Sequence, residues 1–138
     1  MATIQLDIVT AERRIFSDDV NMVIVPGIDG QLGILPHHAP LMSMVQTGEL
    51  IIKKEKEELY LFIDGGFIEI RPDRVVILAD ACEHCAEIDI ERAEKAKRRA
   101  EESLKSRSPD IDLFRAEAAL RRSLMRLKVA ERIKRRVR

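Results

Sequence analysis

Several residue types are scarce in this 138-residue chain. It has no tryptophan, one tyrosine and two cysteines, and aromatic residues make up 4% of the sequence. Two cysteines are too few for the disulfide framework of a small secreted domain. No apolar run exceeds five residues, as in Val75–Ala79, so no segment is long enough to span a bilayer as a helix. Because Met1–Asp7 has neither a basic region nor an apolar core, we expect no signal peptide.

The net charge of the whole chain is zero, but its two parts are charged. Residues 1–86 carry 7 basic and 14 acidic side chains, whereas residues 87–138 carry 17 basic and 10 acidic ones. All six glycines and four of the five prolines lie in the first part. The sequence therefore predicts two domains of opposite charge, residues 1–86 and residues 87–138, of which the second is suited to an anionic partner.

The first part has the pattern of a β-sheet. Apolar and polar residues alternate in Ile4–Ile8, which predicts a strand with one buried face. Further β-rich runs are Met22–Val25, Leu50–Lys53, Leu59–Ile63, Phe67–Ile70 and Val75–Ala79. Turn residues separate these runs, among them Gly65-Gly66. Many short strands without an intervening helix predict an antiparallel β-sandwich.

The second part has the pattern of two helices. Asp89 is a suitable N-cap, and Ser108 before Pro109 marks a second helix start. The first apolar stripe consists of Ile90, Ala93, Ala96, Ala100 and Leu104. The second consists of Leu113, Ala116, Leu120, Leu124, Leu127, Ala130, Ile133 and Val137. We predict an antiparallel two-helix hairpin, so that the fold class is α+β with a sandwich followed by a hairpin.

Each helical stripe is narrow and rich in alanine, so the hairpin is expected to be marginally stable by itself. A fully buried large side chain contributes about 1 to 2 kcal/mol, and ordering each residue costs about as much. Such an element, joined to a firm domain, can open or bind elsewhere. The sequence is therefore compatible with a conformational switch.

A hairpin that turns near Ser108 places Asp89 and Arg92 opposite Arg122 and Arg126. Clustered guanidinium groups need either a bound polyanion or neighbouring carboxylates. A phosphate ligand is one interpretation. The other is a solvated, salt-bridged face that uses Glu91, Glu94 and Glu117, and residue spacing alone favours this second interpretation.

The remaining candidate sites are weak. Cys82 and Cys85 lack the further ligands that a structural zinc needs, so we expect two small side chains in a connector and no structural metal. His37 and His38 lie between two prolines without an adjacent carboxylate or nucleophile. They are better placed in a contact loop than in an active site. With no catalytic motif in the sequence, we expect no catalytic residues and no enzyme activity.

The end of the chain, Arg132–Arg138, has five basic side chains in seven positions. Nucleic acid, an anionic membrane or an acidic protein could attract it. Phe114 is the only aromatic residue of the basic part, so stacking partners for nucleic acid are missing. An acidic protein partner is therefore favoured, and no nucleic acid is expected.

One segment carries a specific resemblance. Gly30–Leu41, with the sequence GQLGILPHHAPL, closely resembles the signature of the epsilon subunit of bacterial rotary ATP synthase. Gly65–Ile70 and Val75–Asp80 resemble later strands of the same family. The similarity extends from about Thr3 to about Ile133.

The resemblance implies a noncatalytic rotor subunit of a proton-translocating ATP synthase. In that family the sandwich binds the gamma subunit and sits on the c-ring, and the matching ring-facing positions here are Gln31 and His38. The helices fold as a compact hairpin or extend into the catalytic head of alpha and beta subunits, where they inhibit ATP hydrolysis. The matching basic positions are Arg115, Arg122 and Arg126. The implied location is the cytoplasmic face of the bacterial inner membrane, with membrane association only through the complex.

The resemblance also implies that ATP is a regulatory ligand. The segment Ile88–Ala93 matches the ATP-binding motif of some bacterial epsilon subunits. The implied ATP-binding set is Glu83, Ile88, Asp89, Arg92, Ala93, Arg99, Arg122 and Arg126. With the family in view, nucleotide binding becomes the preferred interpretation of the arginine cluster.

The sequence departs from the family pattern at three kinds of position. Gln31 replaces a commonly acidic residue, His37 a usual glycine, and Cys82 and Cys85 frequent alanines. The alternative function is a phosphate-ligand sensor or a nucleic-acid-binding accessory protein built on a β-sandwich.

Overall fold

The computed structural model describes residues 2–106 and 112–133, and the chain divides into two compact units, Met1–His84 and Cys85–Arg138. The described strands are β1 (Ile4–Val9), β2 (Arg14–Val20), β3 (Met22–Gly27), β4 (Gly30–Ile34), β5 (Leu41–Val45), β6 (Gly48–Lys54), β7 (Glu57–Ile70) and β8 (Arg74–His84). A short 3-10 helix, Cys85–Glu87, precedes the helices α1 (Ile90–Ser106) and α2 (Leu113–Ala130).

The strands form one hydrogen-bonded network in the order β2-β1-β8-β7-β5-β3-β4, and β6 pairs with both β3 and β7. The long strand β7 pairs with β6 along its first half and with β5 along its second half. Pairing is antiparallel except between β1 and β8, which run parallel. The predicted fold class, a β-sandwich followed by two helices, is confirmed, with this parallel pair as the one departure from antiparallel pairing among the described strands.

A single apolar core holds the first unit together. Alternate residues of each strand point into it, such as Ile4, Leu6 and Ile8 of β1, which are at most 4% exposed. Eighteen buried residues contributed by all eight strands form this cluster, and Ile15 and Phe16 of β2 are partly buried against it. Because the strands of this unit share one core, burial of its aliphatic side chains is the main source of stability of the unit.

Three features of the sheet differ from the prediction. The Gly65-Gly66 pair is not a turn, because both glycines lie inside β7, where Asp64 pairs with Ala81 and Gly66 with Ala79. They have φ angles of 69° and 119° and mark where β7 passes from β6 to β5. The two predicted strands on either side are therefore one strand. In addition, β2, β4 and β5 were not predicted.

The predicted N-cap is confirmed for α1 but not for α2. Asp89 caps α1, since its Oδ1 accepts a hydrogen bond from the Arg92 backbone N at 3.1 Å. The cap of α2 is Asp112, whose carboxylate accepts from the backbone N of Phe114 and Arg115. The predicted cap Ser108 is wrong for the described helix and itself lies outside the described residues.

The two helices pack against each other through small residues. The buried positions of α1 are Ala93 and Ala100, and α2 buries Ala116, Ser123, Val129 and Ala130. The Ser123 hydroxyl donates to the Ala119 carbonyl oxygen at 2.8 Å, which satisfies it inside the seam. Three residues of the predicted apolar stripes are instead exposed by 44 to 52%: Ile90, Leu113 and Leu124.

Candidate functional site

The outer face of the sandwich carries a row of exposed apolar side chains. Met44 of β5 pairs with Phe67 of β7, and Phe67 pairs with Leu78 of β8. These three side chains are 50 to 56% exposed, and Met42 on the same strand face as Met44 is 70% exposed. Adjacent strands lie about 4.8 Å apart, so the row is continuous. We call these four residues the apolar row.

Polar groups border the apolar row on two sides. Arg71, directly after β7, pairs with Glu69 of β7 at 2.8 Å, and this hydrogen bond lowers the pKa of Glu69. On β1, the Asp7 carboxylate accepts from the Ser17 hydroxyl at 2.6 Å, which is the main cause of its lowered pKa. An apolar centre with a charged border is the usual anatomy of a protein interface.

The predicted c-ring positions lie on exposed backbone of the same unit. Gln31 is exposed at the start of β4, and His38 is half-buried in the loop between β4 and β5. The His38 ring Nδ1 lies 2.7 Å from the Ala39 carbonyl oxygen, and its backbone N donates to the Leu35 oxygen. His37 has a φ of 68°, a left-handed conformation that glycine adopts more readily than other residues.

The structure brings together part of the predicted nucleotide site at the start of α1. Asp89 and Arg92 are exposed and linked by the helix cap, and Ala93 donates its backbone N to the Asp89 carbonyl at 3.0 Å. Ile88 and Ala93 are buried. Arg92 and Arg99 are exposed and form no ion pair with any other described residue. Their guanidinium groups can therefore accept an anion without breaking an ion pair.

The other predicted basic positions lie on α2. Arg115 is exposed in its first turn, and Arg122 and Arg126 are half-buried at positions adjoining the seam. Glu83 lies on β8 in the sandwich. The carboxylates proposed for a salt-bridged face, Glu91, Glu94 and Glu117, form no ion pair within the described part of the chain.

The two cysteines are free and buried. Cys82 lies in β8 and belongs to the sandwich core, not to a connector as predicted, while Cys85 begins the 3-10 helix. Among the described residues, no three His, Cys, Asp or Glu side chains are placed to share a metal ion. Neither of the described helices is long and apolar enough to cross a membrane.

Family comparisons match both units. Residues 3–85 match the model of the ATP synthase delta/epsilon chain beta-sandwich domain, and residues 86–131 match that of the long alpha-helix domain of the same chain. These matches and the fold define the class, a delta/epsilon-type chain of ATP synthase.

Curated relatives identify the type of chain within that class. An ATP synthase epsilon chain of Dehalococcoides mccartyi is 55% identical over 133 residues, covering 96% of this chain and 95% of the relative. The epsilon chain of Desulforamulus reducens is 45% identical, covering 94% and 98%. The chain therefore belongs to the epsilon chain family of ATP synthase, whose members are noncatalytic subunits of the complex.

A solved structure shares the fold at low sequence identity. It is the cryo-EM structure of Euglena gracilis mitochondrial ATP synthase, comprising OSCP, F1 and c-ring. The matched chain has a TM-score of 0.70 and is 21% identical, with all of this chain and 83% of that chain covered. The architecture of the two units thus persists where most side chains differ.

The apolar row was missed by sequence reasoning although a signal was present. Val75–Ala79 is apolar at every position, so both faces of β8 are apolar, and β5 contains Leu41, Met42 and Met44. An apolar run without alternation indicates either a strand buried on both faces or a strand with an apolar outer face. Only the sheet order shows that these side chains lie side by side.

Proposed function

We propose that this chain is a central-stalk subunit that couples the catalytic head of a proton-translocating ATP synthase to its c-ring and restrains ATP hydrolysis. The sandwich binds the gamma subunit and the c-ring, and the helical unit regulates the head. The complex places the chain at the cytoplasmic face of a bacterial inner membrane. The observation that carries the coupling role is the apolar row, Met42, Met44, Phe67 and Leu78, on an otherwise acidic domain.

The apolar row is the surface that we assign to the gamma subunit. An apolar row rimmed by the Glu69–Arg71 pair and by Asp7 resembles half of a permanent interface. Gln31 of β4 and His38 of the following loop are assigned to the c-ring, because Gln31 is exposed and His38 is half-buried and fixed by a backbone hydrogen bond.

The helical unit is proposed to exchange between a compact hairpin and an extended form. Its seam consists largely of alanines, Ser123 and Val129, so little apolar area is lost when the helices separate. In the extended form Arg115, Arg122 and Arg126 contact acidic surfaces of the beta subunits beside the alpha subunits, and this contact blocks hydrolysis. The sandwich keeps its own core in both forms.

ATP is proposed to stabilise the compact form. Asp89, Arg92, Arg99, Arg122 and Arg126 would bind the nucleotide, with the buried Ile88 and Ala93 forming the base of the site. The contribution of Glu83 stays a prediction. A ligand that binds only the compact form stabilises it in proportion to the logarithm of ligand concentration over Kd.

Two arginines belong to both proposed contact sets. Arg122 and Arg126 cannot bind the phosphates of ATP and an acidic beta-subunit surface at the same time. Binding of ATP and inhibition are then mutually exclusive, which links ATP concentration to inhibition without a further conformational signal.

The test is calorimetry of the full chain with ATP. We expect binding by the wild type and at least about tenfold weaker binding by Arg92→Ala, because a charged hydrogen bond contributes about 1.5 to 3 kcal/mol. Arg98→Ala is the matched control, since Arg98 is an exposed arginine of the same helix outside the proposed site.

Equal affinity of Arg92→Ala and Arg98→Ala would contradict the proposed ATP site. Absence of wild-type binding at millimolar ATP would contradict nucleotide regulation but not the coupling role.

The coupling role is tested by co-purification with the gamma subunit. Replacement of Phe67 by Ser should release the chain from the gamma subunit. The control Ile28→Ser changes an apolar side chain that is 48% exposed outside the apolar row.

A further inference from the structure

The outward side of α2 carries an aromatic residue that is exposed in the compact hairpin. Phe114 is 85% exposed, more than any other large apolar side chain among the described residues. It lies in the first turn of α2, where the Asp112 carboxylate accepts a hydrogen bond from its backbone N at 3.1 Å. The cap therefore fixes the backbone at the helix start, on which Phe114 lies.

Helix geometry separates Phe114 from the seam. The buried residues Ala116, Ser123 and Ala130 repeat every seven positions and define the inward side of α2. Phe114, Arg121 and Lys128 also repeat every seven positions and are all exposed. A step of two residues turns a helix by about 200°, so the row Phe114, Arg121 and Lys128 lies almost opposite the seam. We call these three residues the outward ridge.

An exposed phenylalanine at one end of a basic ridge has a physical cost, because its ring stays in contact with water. Leu113 beside it is 52% exposed, which widens the apolar end of the ridge. The ridge itself is positively charged, because Arg121 and Lys128 follow at the same angle. Its complementary partner is a protein surface with an apolar pocket next to acidic side chains.

We propose that Phe114 anchors α2 in such a pocket on an acidic partner subunit when the helices are extended. This inference rests on the proposed inhibitory role and adds an apolar contact to its charged ones. Charged groups on the ridge steer and orient the helix, and desolvation of the aromatic ring slows its release. The outward ridge, unlike Arg122 and Arg126, is not part of the proposed ATP site.

The test is a titration of ATP hydrolysis by a complex of alpha, beta and gamma subunits with the full chain. Burial of one large apolar side chain corresponds to about a tenfold to hundredfold change in affinity. We expect Phe114→Ala to need that much more protein for half-maximal inhibition, and Phe114→Leu to recover most of the loss. Ile90→Ala, at a 44% exposed position in the first turn of α1, is the matched control.

Salt dependence separates the anchor from the charges. The effect of Phe114→Ala is expected to be equal at low and high salt, whereas the effect of Arg121→Ala should shrink as salt screens its charge. ATP binding and thermal stability of the isolated Phe114→Ala chain should equal those of the wild type, since the ring is exposed.

Four outcomes would overturn the anchor. The first two are that Phe114→Ala inhibits as tightly as the wild type, or that this variant loses thermal stability or ATP binding. The other two are that the wild type binds vesicles of anionic phospholipid and the variant does not, or that the wild type self-associates and the variant does not. If instead the wild type itself fails to inhibit hydrolysis, the proposed inhibitory role is wrong, and the anchor falls with it.

Discussion

Two glycines with nearly the same backbone angle face very different surroundings. Gly66 and Gly30 have φ angles of 119° and 120°. A Cβ on Gly66 would collide with the Leu78 carbonyl oxygen and lie 2.9 Å from the Ala79 Cα, whereas a Cβ on Gly30 would meet nothing within 4 Å. A side chain at either position would strain the backbone, but only a side chain at Gly66 would also collide with its neighbours.

Replacement of Gly66 by alanine is expected to destabilise the sandwich far more than the same change at Gly30. Positive-φ strain alone costs about 1 to 3 kcal/mol, and Gly66→Ala adds a collision with backbone held in the β7–β8 ladder. Urea unfolding of both variants measures the difference. Equal losses of unfolding free energy would show that β8 can move away from β7 at this point.

The carboxyl group of Asp7 makes the stability of the sandwich depend on pH. Its pKa is lowered from the ordinary 3.8, first by the Ser17 hydroxyl and further by Gln5 and Arg74, against the effect of burial. Because the folded pKa lies below the unfolded one, the ionised form stabilises the fold above pH 3.8. This contribution is lost as the pH falls through the folded pKa.

The variant Ser17→Ala tests this linkage. It should lower the free energy of unfolding by about 0.5 to 1.5 kcal/mol at neutral pH, and the difference from the wild type should narrow below pH 3.8, where Asp7 becomes protonated. Urea unfolding at a series of pH values provides the comparison. A difference that stays constant down to the lowest pH at which the chain folds would assign the role of Ser17 to packing.

At the scale of elements, the hairpin seam is built for close approach and not for large burial. Ala93 and Ala100 of α1 meet a helix that buries Ala116 and Ser123. Small side chains let helices approach closely, but each removes little apolar area from water. The seam therefore does not accommodate larger side chains, and the packing of the two helices contributes little to the free energy of unfolding.

A larger side chain in the seam is expected to open the hairpin. Ala100 is 4% exposed, and Ala100→Leu should cost about 1 to 3 kcal/mol through overpacking. Glu102→Leu adds a leucine at an exposed position of the same helix and is the control. Limited proteolysis should cut Ala100→Leu faster within 85–138, and equal rates for the two variants would contradict a tight seam.

Sequence patterns predicted the elements unevenly. Strand β1 was predicted because its alternation matches a half-buried strand, and α1 because Asp89 and the alanine spacing agree. Strand β2 was missed because Ser17, Asp18 and Asp19 give it an acidic centre with no apolar repeat. A Gly-Gly pair looks the same in the sequence whether it forms a turn or lies within a long strand, as Gly65 and Gly66 do.

At the scale of the whole molecule, the two units have apolar cores of unequal size. The sandwich has a core of eighteen residues, whereas α1 and α2 meet over a few small ones. The sequence has one tyrosine, Tyr60 in β7, and no tryptophan. Tyrosine fluorescence therefore reports on the sandwich, while far-ultraviolet circular dichroism reports mainly on the helices.

Unfolding in urea is expected to occur in two steps. The circular dichroism signal should fall at lower urea than the tyrosine fluorescence, because the hairpin has the smaller buried area. ATP should shift the first step to higher urea and leave the second unchanged. Coincident transitions for the two probes would mean that the units unfold as one cooperative body.

The sequence by itself determined the two-part organisation, the division of charge, the presence of two helices and the family resemblance carried by Gly30–Leu41. These depend on local composition and spacing, which the chain displays without folding. Only the tertiary structure placed Met44, Phe67 and Leu78 in one row, put Gly65 and Gly66 inside a strand and left Phe114 exposed. Strand order and helix packing decide such features, because they join residues that are distant in the chain, and no local pattern encodes which strands become neighbours.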